Sequence, residues 1–303
     1  TAGTAGGSLK ALFEVRDGDN LENFKGKVTK ADSYSLTVEN TSIDNIKSLN
    51  LPDKDGKITV NNISYSYDSW EAQVDAQGNI KSVTFNLSKD KAIADPEKTV
   101  AEGYLLNAGS AINARGIPYY MTQLNEFVRN FSEMFNQIES KGQNLNGDTP
   151  PTFFEAITTA KVYDFSESEA YSKLPDGQTA TINSSSNTYY RMTAANFSVN
   201  KDVMNDVSLF ATATDYVKTD SCDIVDELKK LQSEKTVYRG DKAESFLETI
   251  ISNVSVDTEK AETYNKLYSN LEQTIANQRT SVSGVDEDEE ALNLVKFQYS
   301  YNM

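Results

Sequence analysis

Five consecutive acids, Asp286-Glu287-Asp288-Glu289-Glu290, stand near the end of the chain in the stretch QRTSVSGVDEDEEALNLVKFQYSYNM. Clustered carboxylates can ligate Ca²⁺, which takes oxygen donors, or share protons in acid–base catalysis. A calcium loop, however, spaces its acids at alternate positions, places a glycine sixth and closes with a glutamate twelfth. Here the acids are contiguous and run into an apolar-rich segment, where a helix would fan them around its axis. Acids in a first helical turn complement the positive end of the helix dipole, and Asp286 with Glu289 has the spacing of a capping box. The cluster is read as a helix start, and no metal ligand is assigned in it.

The other candidates are weaker. PDKDG at 52–56 and DAQGN at 75–79 resemble pieces of calcium loops, but neither has the closing glutamate and both fall between strand-like segments, so turn chemistry accounts for them. A glycosidase needs two carboxylates about 5–10 Å apart in a cleft, and among 45 acids the spacing singles out no pair. Cys222, beside Asp223 and Asp226, has no neighbouring base or cation to activate it. Asn196-Phe197-Ser198 has the form of a glycosylation acceptor, a triplet expected by chance in a chain rich in these residue types. Histidine is absent, which excludes Ser-His-Asp and Cys-His nucleophiles, HExxH zinc sites and His-ligated metals. No catalytic, cofactor-binding or metal-binding residue is assigned. The chain reads as a non-enzyme without cofactors.

Bulk properties point the same way. At 303 residues there is room for two domains or three smaller ones. Hydrophobic residues make up 38%, with 16 Tyr and 13 Phe, so the chain is globular and not disordered. A formal charge of −16 disfavours nucleic acid and anionic lipid as partners. The lone cysteine excludes an internal disulfide, and no apolar run is long enough to span a bilayer as a helix. The opening TAGTAGG, without an initiator Met or signal peptide, leads us to expect a fragment of something longer.

The elements that would position these residues alternate in texture. SLKALFEVR at 8–16 predicts a short helix, with Ser8 as N-cap, Leu9, Leu12, Phe13 and Arg16 at helical spacing, and Gly18 as its stop. From about 28 to 100, YSLTVEN, ITVNN–ISYSYD, WEAQV and IKSVTFNL alternate between apolar and polar residues and are separated by turn signals, including Asn61-Asn62. Trp70, Ala72 and Val74 on one strand, and Val83, Phe85 and Leu87 on the next, fall on one face. A long amphipathic helix follows from 117, carried by Ile117, Tyr120, Met121, Leu124, Phe127, Val128, Phe131, Phe135 and Ile138, with Pro118 near its start and Gly142 past its end. Residues 143–188 are loop-rich, and YYRMTAANFSVN at 189–200 reads as a strand or hairpin. Helical patterns then cover Asp223–Leu231, Lys242–Val254, Asp257–Arg279 and Asp286–Met303.

The expected fold class is α+β: a discontinuous helical-bundle domain, an inserted small all-β module and a second segment rich in loops and strands. The helical domain takes 1–27, 103–142 and 201–303, the β module 28–102, and the loop and strand segment 143–200.

Several blocks then carry a resemblance. GGSLKALFEVRD at 6–17, GIPYYMTQLNEFVRNFSEMFNQI at 116–138, NLNG at 144–147, PTFFEA at 151–156, TAANFSVN at 193–200 and, above all, NQRTSVSGVDEDEEALNLVKFQYSYN at 277–302 resemble the hook-associated protein 1 family of bacterial flagella. They come in that family's order over roughly half of the chain. The resemblance implies a structural subunit of the flagellar hook–filament junction, with no catalytic site. It implies export by the flagellar type III apparatus and an extracellular location. The implied partners are identical subunits in a ring, the hook protein, a second hook-associated junction protein and an export chaperone, the last through a missing C-terminal region. The family's terminal helices pair into a coiled coil; both terminal regions are expected to be trimmed here, which would leave a monomer. Residues 28–100 occupy what is a short connection in many members, and an outward-facing module is expected there. The alternative is a secreted, adhesin-like binding module whose β insertion is the recognition surface, and a second rival is a carboxylate-based hydrolase.

Overall fold

The computed structural model describes residues 7–303 apart from 90, 91, 94, 95, 97–102, 159, 160, 164, 218–220, 235, 239 and 285. The chain divides into two compact units, Thr1–Phe246 and Leu247–Met303.

The first unit is built around a closed, six-stranded antiparallel barrel. Its strands are β1 (Lys25–Asp32), β2 (Ser35–Glu39), β3 (Gly56–Val60), β4 (Ile63–Val74), β5 (Ile80–Leu87) and β6 (Leu105–Ala108). They pair in the order β3-β6-β1-β2-β5-β4, and β4 returns to β3 to close the ring. This overturns the expected helical bundle with a small β insertion: the barrel and the segments packed on it hold the largest apolar core among the described residues.

Two strands escaped the sequence reading for a physical reason. Along β1 only Gly26 and Val28 are buried, and β6 has just four residues, so neither shows a sustained alternation. Yet β6 bonds to β1 on one side and to β3 on the other, and so closes the barrel. Conversely, the two segments read at 63–68 and 70–74 are one strand. Register shifts at Tyr67/Ser69 and Gln73/Val74 let β4 bend, pairing by its first half with β3 and by its second half with β5. The Asn61-Asn62 hairpin has both residues at positive φ, 49° and 62°, as a two-residue turn of the primed type requires. Trp70, Ala72, Val74, Val83, Phe85 and Leu87 all point into the core, as their alternation predicts.

Outside the ring, β9 (Ala180–Asn183) adds to the second half of β4. A separate three-stranded sheet joins β7 (Phe154–Ile157), β8 (Val162–Tyr163) and β10 (Phe197–Val199). The stretch read as a strand or hairpin at 189–200 contains a 3₁₀ turn, Tyr189–Arg191, followed by β10.

Helix α1 (Ser8–Asp17) starts after Gly7, so Gly7 and not Ser8 is its N-cap, and it ends at Gly18. Helix α2 (Ile117–Glu139) carries Pro118 in its first turn. The backbones cross closely where α1 ends and α2 begins. The Gly116 N–H donates to the Gly18 carbonyl at 3.0 Å, and a Cβ on Gly116 would lie 2.4 Å from the Glu14 carbonyl oxygen.

The orientation of α2 reverses the usual amphipathic rule. Its polar face, with Gln123, Asn125, Arg129, Glu133 and Asn136, is buried. Its apolar stripe is only partly covered: Phe131 and Phe135 pack against the three-stranded sheet and α5 (Asp223–Ser233), while Ile117 remains 58% exposed.

Short helices α3 (Ser166–Ser172) and α4 (Lys201–Asn205) complete the first unit, together with the hairpin of β11 (Thr236–Tyr238) and β12 (Asp241–Lys242). The second unit comprises most of α6 (Ala243–Ser283) and α7 (Glu287–Asn302). The two patterns read at 242–254 and 257–279 are therefore one helix. Across the join, Ser255 and Thr258 turn their hydroxyls back onto the Ile251 and Val254 carbonyls at 3.0 and 2.8 Å and stay helical.

Candidate functional site

The acidic cluster stands where its spacing puts it, at the start of α7. Asp286 is the N-cap: its Oδ1 accepts the Asp288 N–H at 3.0 Å and the Glu289 N–H at 3.3 Å, and the next four acids fill the first turn. Among the described residues, no group of three or more His, Cys, Asp or Glu is placed to hold a metal ion.

The acidic turn at 75–79 is stapled internally. Asp75 accepts the Asn79 and Gln77 N–H groups at 2.8 and 3.0 Å, with the Lys81 ammonium 2.9 Å away. Desolvation works against its charge, but Lys81 and these donors together outweigh it and hold the carboxyl down at about 2. Asp53 pairs with Arg191 at 3.1 Å. Asn196 uses its side chain to close a turn, accepting from the Thr193 N–H at 2.8 Å and donating to the Arg191 carbonyl at 2.9 Å. Cys222 is exposed just before α5.

Sequence reading missed the buried polar side chains of α2. Arg129, 2% exposed, donates from Nε to the Met192 carbonyl at 2.9 Å and from one terminal nitrogen to the Lys47 and Leu49 carbonyls at 2.8 and 2.7 Å. Burial lowers its pKa to about 10, so it remains a cation at neutral pH. One turn further on, Glu133 meets the Lys47 ammonium at 2.7 Å. Asn136 donates to the Phe154 carbonyl and accepts the Phe154 N–H, at 3.0 and 2.9 Å. At the helix end, Glu139 is 2% exposed; its Oε1 accepts the Ala211 N–H at 2.6 Å and its Oε2 has no partner among the described residues. Burial pushes this carboxyl up to about 7, against the opposing pull of that N–H. A signal was present in the sequence. The polar face of α2 is rich in Asn, Gln and Ser rather than Lys, which suits fixed hydrogen bonds to loops better than solvation.

Apart from the Glu139 Oε2, these buried groups are hydrogen-bonded within the fold, and they anchor loops to a helix. An exposed apolar surface runs along the second unit. Along α6, Leu247, Val254, Ala261, Tyr268, Ile275 and Val282 recur at seven-residue intervals, the period of a coiled-coil seam. Tyr264, Leu267 and Leu271 flank this line, and all three are exposed, as are Leu292, Val295 and Tyr299 on α7. Among the described residues, no helix is long and apolar enough to cross a membrane.

The fold and this surface define a β-barrel unit joined to a long helical segment with an uncovered apolar seam. No protein-family model matches the chain, and none of the curated proteins compared with it matches either.

Proposed function

We propose that the chain is a structural, non-catalytic subunit of the bacterial flagellum, joining hook to filament outside the cell. The observation that carries the reading is the succession NQRTSVSGVDEDEEALNLVKFQYSYN, which falls on the end of α6, the acid-capped turn and α7. Heptad-spaced apolar residues on these helices support it, because an exposed seam of this period calls for a helical partner. In this reading the seam pairs with other helices of the axial structure, identical subunits form a ring, and the hook protein and a second junction protein bind the two faces of that ring. The subunit reaches its place through the flagellar type III apparatus. The barrel is exposed on the outside of the assembled structure.

Deletion of the gene in the bacterium that carries it tests the reading. The expected result is hooks without attached filaments, with flagellin lost to the medium and motility abolished, and restoration by the gene in trans. Filaments that remain attached to hooks in the deletion strain would overturn it.

A further inference from the structure

Helix α2, the segment at 50–53 and the stretch at 190–196 line an open cleft of about 360 Å³ in the first unit. That volume is in the range of small-molecule sites. Two guanidinium groups, Arg129 and Arg191, line it against a single carboxylate, Asp53, so the cleft is locally positive on a chain whose formal charge is −16.

Arg129 is a buried cation without a salt bridge. It is 2% exposed and stays charged at neutral pH, yet among the described residues no carboxylate forms an ion pair with it. Buried charges are as a rule paired with an opposite charge, and carbonyl dipoles replace only part of that compensation. Its Nε and one terminal nitrogen hold three backbone carbonyls. The other terminal nitrogen makes no hydrogen bond among the described residues, nor is it one of the unpartnered polar atoms that the fold closes off from solvent. Because Arg129 lines the cleft, that nitrogen is the part of it left to face an incoming group.

The rest of the lining is short of acceptors and not of donors. Asn50 Oδ1 accepts from Asn125 Nδ2 at 3.0 Å, Asn125 Oδ1 accepts the Ala194 N–H at 2.9 Å, and Asn196 Oδ1 accepts the Thr193 N–H at 2.8 Å. The Leu51 and Pro52 carbonyls take the hydroxyls of Tyr190 and Tyr67 at 2.7 and 3.1 Å. The half-buried Thr193 hydroxyl, by contrast, has no partner among the described residues. A ligand that brings acceptor oxygens and negative charge meets what these groups lack.

Asp53 is the natural competitor. It holds Arg191 through one contact at 3.1 Å, and its side chain is 56% exposed, so solvent screens the pair and an incoming anion can displace it. The negative field of the whole chain, meanwhile, works against large polyanions and leaves small ones as the fitting class.

We infer that this cleft is a binding site for a small oxyanion, a carboxylate or a phosphate group, held by Arg129 and Arg191 with Thr193 as a hydroxyl donor. This places a ligand site at the junction of α2 with the barrel, separate from the helical seam.

The test titrates the full chain with sodium phosphate and with sodium succinate, each to about 20 mM at a constant ionic strength of about 0.15 M set with chloride. Amide-shift NMR reads the binding. Saturable shifts centred on 50–53, 125–129 and 190–196 are expected for at least one probe, and a response to only one of them names the oxyanion class. Arg129 variants are avoided because they endanger the fold. Asp53→Asn removes the exposed competitor and should tighten binding about threefold or more. Thr193→Glu sets a carboxylate in the cleft and should abolish binding, with the barrel amides confirming that the fold is kept. No saturable shift with either probe, shifts centred elsewhere, or an affinity in Asp53→Asn no tighter than that of the parent would each overturn the assignment.

Discussion

The Arg129 guanidinium lies 4.6 Å from the ring centre of Tyr190, whose hydroxyl donates to the Leu51 carbonyl at 2.7 Å and whose ring meets Trp70 edge-on at 5.0 Å. One cation thus ties helix α2, the loop at 47–51, the turn at 189–192 and the barrel core together. Because Arg129 satisfies three carbonyls at once, its loss would leave several buried acceptors without donors.

Arg129→Ala should accordingly destabilise the first unit by about 3 kcal/mol, and Arg129→Lys by about 2, since an ammonium cannot reproduce the planar fork of donors. Urea unfolding followed by Trp70 fluorescence measures this. A change under about 0.5 kcal/mol for the alanine variant, the size of an ordinary surface substitution, would refute the keystone role.

Gly116→Ala forces a methyl group into the Glu14 and Val15 carbonyl oxygens, 2.4 and 2.6 Å from where its Cβ would stand. Both obstacles are backbone, so α1 must move. The expected cost is about 2 kcal/mol, with amide-exchange protection lost over 9–17 but kept in the barrel strands.

Glu139 gives a pH dependence with an unusual sign. Its carboxyl rises from the ordinary 4.5 to about 7 in the fold. Below about 4.5 it is protonated in both folded and unfolded chains and contributes nothing. Between about 4.5 and 7 the unfolded chain ionises first, so stability falls as pH rises; above about 7 the loss levels off at about 3 kcal/mol. Glu139→Gln keeps an acceptor for the Ala211 N–H and should flatten this slope. The difference in urea midpoint between variant and parent, measured from pH 4 to 8, should grow with pH and then plateau. A difference independent of pH would contradict the assignment.

Asp75 behaves in the ordinary way. Its folded value, near about 2, lies below the unfolded one, so its contribution is present above about pH 4 and is lost as pH falls toward 2. Asp75→Asn should cost about 1 kcal/mol at pH 7 and almost nothing at pH 2, as read from thermal melts at the two pH values.

Leu267→Asp with Leu271→Asp separates folding from assembly. Both positions are exposed on α6, so the thermal midpoint of the first unit should hardly change. If the seam serves the proposed helical pairing, the same pair of changes should abolish complementation of the deletion strain. Full complementation would rule out the seam as an assembly surface.

Much of this molecule is written locally. The Asn61-Asn62 turn, the inward faces of β4 and β5, Pro118 opening α2, and Asp286 capping α7 depend on neighbours a few residues away, and their chemistry can be read in order along the chain. Barrel closure could not be read this way. It rests on β6, four residues whose partners Gly26 and Val60 lie far off in sequence, and on a bend in β4 that local alternation does not encode. Periodicity also located the apolar stripe of α2 but gave no sign that its polar face is buried, because hydropathy counts Arg129, Glu133 and Asn136 as solvent-seeking. Only tertiary structure supplies the carbonyls and the lysine that let those groups leave water, and only it gathers Asp53, Arg129 and Arg191 around a single cleft.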